Sequence, residues 1–246
     1  MLDKDIIKTK TSVSFDKFSD SHGRFTMGPL LPGMGTTVGN SLRRVLLSTL
    51  EGSAPTAVVI DGVDHEFTSL PYAVEDVIEI LSNIKSIVFR SHSKDPKWIT
   101  LKYKGKGTVT AADFETDSEV EIVNPEQVIV EITKSNPFNL QVRVEKGVGY
   151  SPSEVHKNDE DQVNTIYLDA SFSPIVRVKP SVEKTRVGRS LDYDALTLDV
   201  WTNTSLDVED AVKESTQILM QHYALCGQLN VDPVEYLNQG AAEESA

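Results

Sequence analysis

The run Pro29-Leu30-Leu31-Pro32-Gly33-Met34-Gly35-Thr36-Thr37-Val38-Gly39-Asn40-Ser41-Leu42-Arg43-Arg44-Val45-Leu46-Leu47 constrains this chain more than any other segment. A glycine-rich lead-in passes straight into a helical pattern with a twin arginine in its middle. At about 100° per residue, Val38, Leu42, Val45, Leu46, Thr49 and Leu50 share one broad face, while Asn40, Arg44 and Leu47 fall nearly opposite. A helix buried only against its own core is polar on its far side. An arginine beside a leucine there implies a second contact surface, and so a protein that holds other proteins.

With 246 residues the chain has room for one large or two modest domains and an ample core. No apolar run approaches membrane-spanning length, and Met1-Leu2-Asp3-Lys4-Asp5 lacks the basic-then-apolar order of a secretory signal. The single cysteine, Cys226, cannot form an internal disulfide and fits a reducing cytosol, so a cytoplasmic location is expected. Acidic residues outnumber basic ones by 37 to 24, a net charge of −13. Nucleic-acid affinity rests on Lys and Arg neutralising phosphates, so little direct DNA binding is expected of this chain.

Ser14–Phe18 and Arg24–Met27 alternate like strands, and the first long helix runs from near Gly35 until Gly52 and Pro55 stop it. Thr56–Ile60 reads as a buried strand closed by an Asp61-Gly62 turn. A second helix follows Pro71, with Val74, Val77, Ile78, Leu81 and Ile84 at helical spacing. From Ile87 to Val178 the pattern is strands, best at Trp98–Tyr103, Val120–Val123, Val128–Ile132, Leu140–Val144 and Thr165–Leu168. This is an antiparallel pattern, not a repeated strand-helix-strand one. Leu196–Thr202 is a further strand. The last helix starts at an Asp207 cap and carries the stripe Val208, Ala211, Val212, Ser215, Ile218, Leu219, His222 and Cys226. The first dozen residues read as an arm or edge segment, and 231–246 as a flexible tail.

Candidate chemistry is sparse. Gly33–Gly39 departs from both phosphate-binding glycine fingerprints, so a stand-alone nucleotide-binding enzyme is the alternative and not the main reading. The glycines more simply permit a tight start and close backbone packing of the helix. Asp61, Asp64, His65 and Glu66 cluster at a turn, but strand alternation keeps the last three from converging on a metal; a hairpin with a polar tip is expected. Asp159-Glu160-Asp161 lacks the ligand alternation of a calcium loop and reads as a solvated acidic patch. Cys226, on the apolar stripe, is expected to be a buried inert thiol. No catalytic residue, cofactor or metal is assigned.

The stretches Gly39–Leu47, Val59–Glu66, Glu75–Lys85, Thr108–Asp113, Lys146–Pro152, Leu168–Pro174 and Thr197–Asn203 together resemble the alpha subunit of bacterial DNA-directed RNA polymerase, collinearly over roughly residues 15 to 230. The resemblance implies an α+β chain. A discontinuous dimerisation domain, 1–51 with 178–230, holds a sheet and two long helices; a mostly antiparallel β domain, 52–177, is inserted. It further implies a homodimer whose helices pair as a bundle, with Val38, Leu42, Val45, Leu46, Leu50, Val212 and Leu219 at the interface. Physics alone leaves open that each stripe faces its own sheet. Arg44, with Leu47 beside it, matches the family arginine for the beta subunit, while Lys85 matches a family lysine linked to beta-prime and Leu168 falls in another stretch associated with that contact. Loop 158–161 falls where some transcription activators touch the subunit. A non-catalytic scaffold is thus expected. Typical members continue into a DNA-reading C-terminal domain, which is absent from this sequence, either cut away or naturally missing.

Overall fold

A computed structural model describes residues 11–116, 118–158, 161–187 and 190–226. In chain order its elements are β1 Ser12–Ser19, β2 His22–Leu30, α1 Met34–Ser48, β3 Glu51–Ile60, α2 Val77–Lys85, β4 Phe89–Ser91, β5 Lys97–Thr110 and β6 Phe114–Glu115. There follow β7 Val120–Ile122, β8 Val128–Val148, β9 Tyr150–Ser151, β10 Ile166–Tyr167, β11 Ala170–Ser171, β12 Ile175–Val187, β13 Ser190–Thr202 and α3 Val208–Cys226. The fold is α+β with antiparallel strand pairing. It divides into two compact units, one from Met1–Leu50, Ile175–Thr202 and Leu206–Ala246, the other from Glu51–Pro174 with Asn203–Ser205.

The first unit is a four-stranded sheet in the order β1-β2-β13-β12, with α1 and α3 packed on it. Strand alternation turns Leu196, Leu198 and Val200 of β13 inward, and Leu198 and Val200, with Val178, meet Leu42, Leu46, Val208, Ala211 and Val212 of the helices. Two glycines set how close α1 comes. A Cβ at Gly39 would stand 2.8 Å from a Leu196 methyl, and one at Gly35 would stand 2.8 Å from a Val182 methyl. Close packing is therefore what these glycines are for.

The second unit is built on a seven-stranded sheet ordered β6-β5-β8-β3-β4-β7, with β10 added beside β3. Its core gathers Val58 and Ile60 of β3, Ile80 and Ile84 of α2, Leu101 of β5, and Ile129, Phe138, Leu140 and Val142 of β8. The Asp76 carboxylate caps α2 by accepting from the Glu79 N–H at 2.8 Å.

Three expectations are corrected here. Val128–Ile132 and Leu140–Val144 are not separate strands but parts of the 21-residue β8, whose polar middle is held by pairing with β5. The second helix starts at Val77; Val74 precedes it, donating its N–H to the Glu131 carbonyl and leaving its side chain exposed. No hairpin forms at Asp61-Gly62. The chain continues as a loop toward α2, because β3 pairs instead with β4, β8 and β10. Residues 1–10 and 231–246, expected to be an arm and a tail, lie outside the described residues.

Candidate partner-binding surfaces

The glycine-rich start of α1 is already occupied by an anion of the chain itself. One carboxylate oxygen of Asp194 accepts from the N–H of Gly33 at 2.7 Å and of Gly35 at 3.2 Å, and its other oxygen receives Lys184 Nζ at 2.7 Å. Asp194 is 2 % exposed. Lys184, aided by the glycine N–H groups, holds this carboxyl below its usual range despite burial. The position a phosphate would take is filled, which argues against the nucleotide-binding alternative.

The α1 stripe divides into two sets. Leu42, Leu46 and Leu50, with Val212 of α3, lie between 0 and 5 % exposed inside their own unit's core. Leu46 and Leu50 present no surface to a second molecule, so their assignment to an interface is corrected, whereas Leu42 and Val212 reach the floor of the groove described next. Val38, Val45 and Leu219 are half-buried. Beside them runs an apolar groove of about 570 Å³, bounded by Val13, Phe25 and Met27 of the sheet, Met34 and Val38 of α1, and Leu219, Met220 and Tyr223 of α3. Val13, Met34 and Tyr223 are exposed apolar or aromatic side chains at its margin. The sequence stripe reached this groove through Val38, Leu42, Val212 and Leu219 but missed its sheet wall of Val13, Phe25 and Met27, which comes from distant strands.

On α1, Arg44 is exposed while Leu47 is half-buried against the core. Lys85 is exposed at the C-terminal end of α2, where a cation meets the negative end of the helix dipole. It lines a small cavity with Asp169, whose carboxyl is lowered first by the Ser153 N–H and further by the Lys85 charge. Leu168, in contrast, is 5 % exposed within the second unit's core. As a direct contact it is corrected: its side chain faces inward, and its N–H donates to the Thr56 carbonyl.

Asp161 is not a solvated acid. It receives Arg143 Nη1 at 2.7 Å and the Tyr167 hydroxyl at 3.2 Å. Arg143, 5 % exposed, also donates to the His156 carbonyl and pairs with Glu145, tying His156 and Asp161 to β8. Asp159 and Glu160 lie outside the described residues. Cys226 is exposed, contrary to expectation, because the buried stretch of α3 ends at Ser215 and the helix runs on beyond its core. Asp61 accepts from the Asn139 amide at 2.7 Å, and His65 pairs with Thr68, as structural partners. Among the described residues no helix is long and apolar enough to cross a membrane.

The profile of the RNA polymerase Rpb3/RpoA insert domain matches residues 58–173. The DNA-directed RNA polymerase subunit alpha of Moorella thermoacetica is 44% identical over 216 residues, which is 88% of this chain and 69% of that protein. That of Symbiobacterium thermophilum is 43% identical over 227 residues, 92% of this chain and 72% of the relative. The Rhodopirellula baltica subunit is 42% identical over 216 residues, 88% and 65% of the two chains. With most of its length aligned to such subunits at this identity, the chain belongs to the family of DNA-directed RNA polymerase alpha subunits.

Proposed function

We propose that this chain is a non-catalytic scaffold of a DNA-dependent RNA polymerase, acting in the cytoplasm as a homodimer that gathers the beta and beta-prime subunits. The dimerisation domain is 1–51 with 178–230, and 52–177 is the inserted domain. The observation that carries this reading is the groove between α1, α3 and the sheet, apolar and open although both helices already have a core. An apolar surface of this kind marks an interaction site. A second copy would close it by a self-complementary contact, Val13, Met34, Val38, Leu219 and Tyr223 packing against their equivalents.

Dimerisation leaves the outward side of α1 for the larger subunits. Arg44 is exposed there, and a planar guanidinium suits a specific protein interface. Lys85 serves a separate surface, for beta-prime; Leu168 acts only by supporting that region from within. Two unlike partners on identical copies require the symmetry to be broken on assembly. Nucleotidyl transfer is then the work of the gathered subunits. The test is light scattering combined with co-purification. Wild type is expected to be a dimer that retains the beta subunit, and Arg44→Ala to remain a dimer but lose it. Retention by the variant removes the role given to Arg44, and a monomeric wild type removes the proposal.

A further inference from the structure

The outward face of the second unit's sheet carries a row of positive charge that the polymerase reading does not use. Along β5 the inward residues Ile99, Leu101 and Val109 are buried, while Lys102, Lys104 and Lys106 are exposed on the alternate side. The neighbouring strand adds Lys134. Its pairing steps from Gly105↔Asn136 to Gly107↔Ile132, so that residues 133–135 bulge opposite Lys106. Lys102 is held loosely by Glu115 at 3.8 Å; Lys104, Lys106 and Lys134 have no ion pair among the described residues. In a chain of net charge −13 such a cluster of lysines stands out.

We propose that Lys102, Lys104, Lys106 and Lys134 form a docking strip for the phosphodiester backbone of duplex DNA. Strand geometry spaces alternate side chains by about 6.6–6.8 Å. The phosphates of one DNA strand rise about 3.4 Å each along the axis while winding around it, which separates neighbours by about twice that rise, so successive lysines meet successive phosphates. The residue type points the same way. Lysine is depleted at protein–protein interfaces, where arginine and aromatic anchors dominate, but it neutralises phosphates as a mobile point charge. Uncharged donors and acceptors flank the row: Thr100 and Thr108 lie on the same side of β5, and Asn139 and Gln141 pair across from Lys102 and Thr100. Acidic neighbours are Glu115, Glu131, Glu75, which accepts from the Glu131 N–H, and Asp61, already bound to Asn139. Charges farther than about 10 Å are largely screened at 0.1 M salt, so the chain's overall acidity weakens this contact without abolishing it. Lysines on strands also discourage edge-to-edge pairing, a role that predicts no affinity for DNA.

The test is fluorescence anisotropy of the chain with a short labelled duplex of mixed sequence across a salt series. Four phosphate contacts predict an affinity that falls about a hundredfold between 50 and 200 mM salt, at about 0.9 per contact in the logarithmic slope. The variant Lys104→Ala/Lys106→Ala/Lys134→Ala is expected to bind more weakly, with only about a three- to fourfold fall over the same range. Replacing the three with arginine should restore the slope. Circular dichroism and the urea midpoint of the alanine variant should match wild type. Absence of binding at the lowest salt, equal binding by the alanine variant, or displacement of the duplex by polyglutamate of equal charge overturns the proposal. None of these readouts depends on dimerisation or subunit capture, so its failure and theirs are distinguishable.

Discussion

Removing the Asp194 carboxylate is expected to unlock the start of α1. Asp194→Ala takes away the acceptor shared by the Gly33 and Gly35 N–H groups and the partner of Lys184. Gly33 is exposed, so water replaces that bond; Gly35 is buried, and its N–H is left unpaired. A lost helix cap costs about 0.5–2 kcal/mol and a stranded buried donor about 1–3 kcal/mol. Together these predict a loss of about 2–4 kcal/mol in the first unit, or about 1–2 M in urea midpoint. Trp201 lies in that unit and Trp98 in the other, so urea titration by fluorescence in a Trp98→Phe background reads the relevant transition. The pH dependence has a definite sign. Because the folded carboxyl is held below its usual range, its contribution is complete above about pH 5 and is lost as pH falls through the folded value. Wild type and Asp194→Asn should therefore converge in acid. A midpoint change worth less than about 0.5 kcal/mol at pH 7, or a gap that widens in acid, would refute this account of the helix start.

Leu46→Ala should destabilise the first unit by about 2–5 kcal/mol at any protein concentration, since a fully buried core leucine leaves a cavity; denaturation at two concentrations checks that the loss is not in association. Met34→Glu with Tyr223→Glu, at the exposed margin of the groove, should dissociate the proposed dimer while leaving the far-ultraviolet spectrum unchanged. Arg143→Ala should cost the second unit about 3–5 kcal/mol because Asp161 and Glu145 lose their buried cation. Urea unfolding followed by Trp98, in a Trp201→Phe background, measures it.

Elements governed by local pattern were legible in the sequence. The periodicity of α1, the Asp207 signal before α3 and the apolar run of β3 each reflect physics within a few residues. Elements made by pairing were not. Residues 136–139 of β8 read Asn-Pro-Phe-Asn, a loop by propensity, and become strand because they pair with β5. The apolar stripe of α1 was legible, but sequence could not say what it packs against. Leu42 and Leu46 face their own sheet, and the open groove needs Val13 and Met27 from distant strands. Leu168 was selected by alignment to a segment, which carries no information on which way one side chain points. Asp194 left a signal that was missed. It shares the inward parity of Leu196, Leu198 and Val200, and a charge at such a position needs a buried partner.

Sedimentation equilibrium of the isolated chain at micromolar concentration tests the central claim most directly. A species of twice the 27.1 kDa chain mass, reduced to single chains by Met34→Glu with Tyr223→Glu, is the predicted result. A wild-type chain that stays at 27.1 kDa contradicts the claim that the groove of α1 and α3 joins two copies.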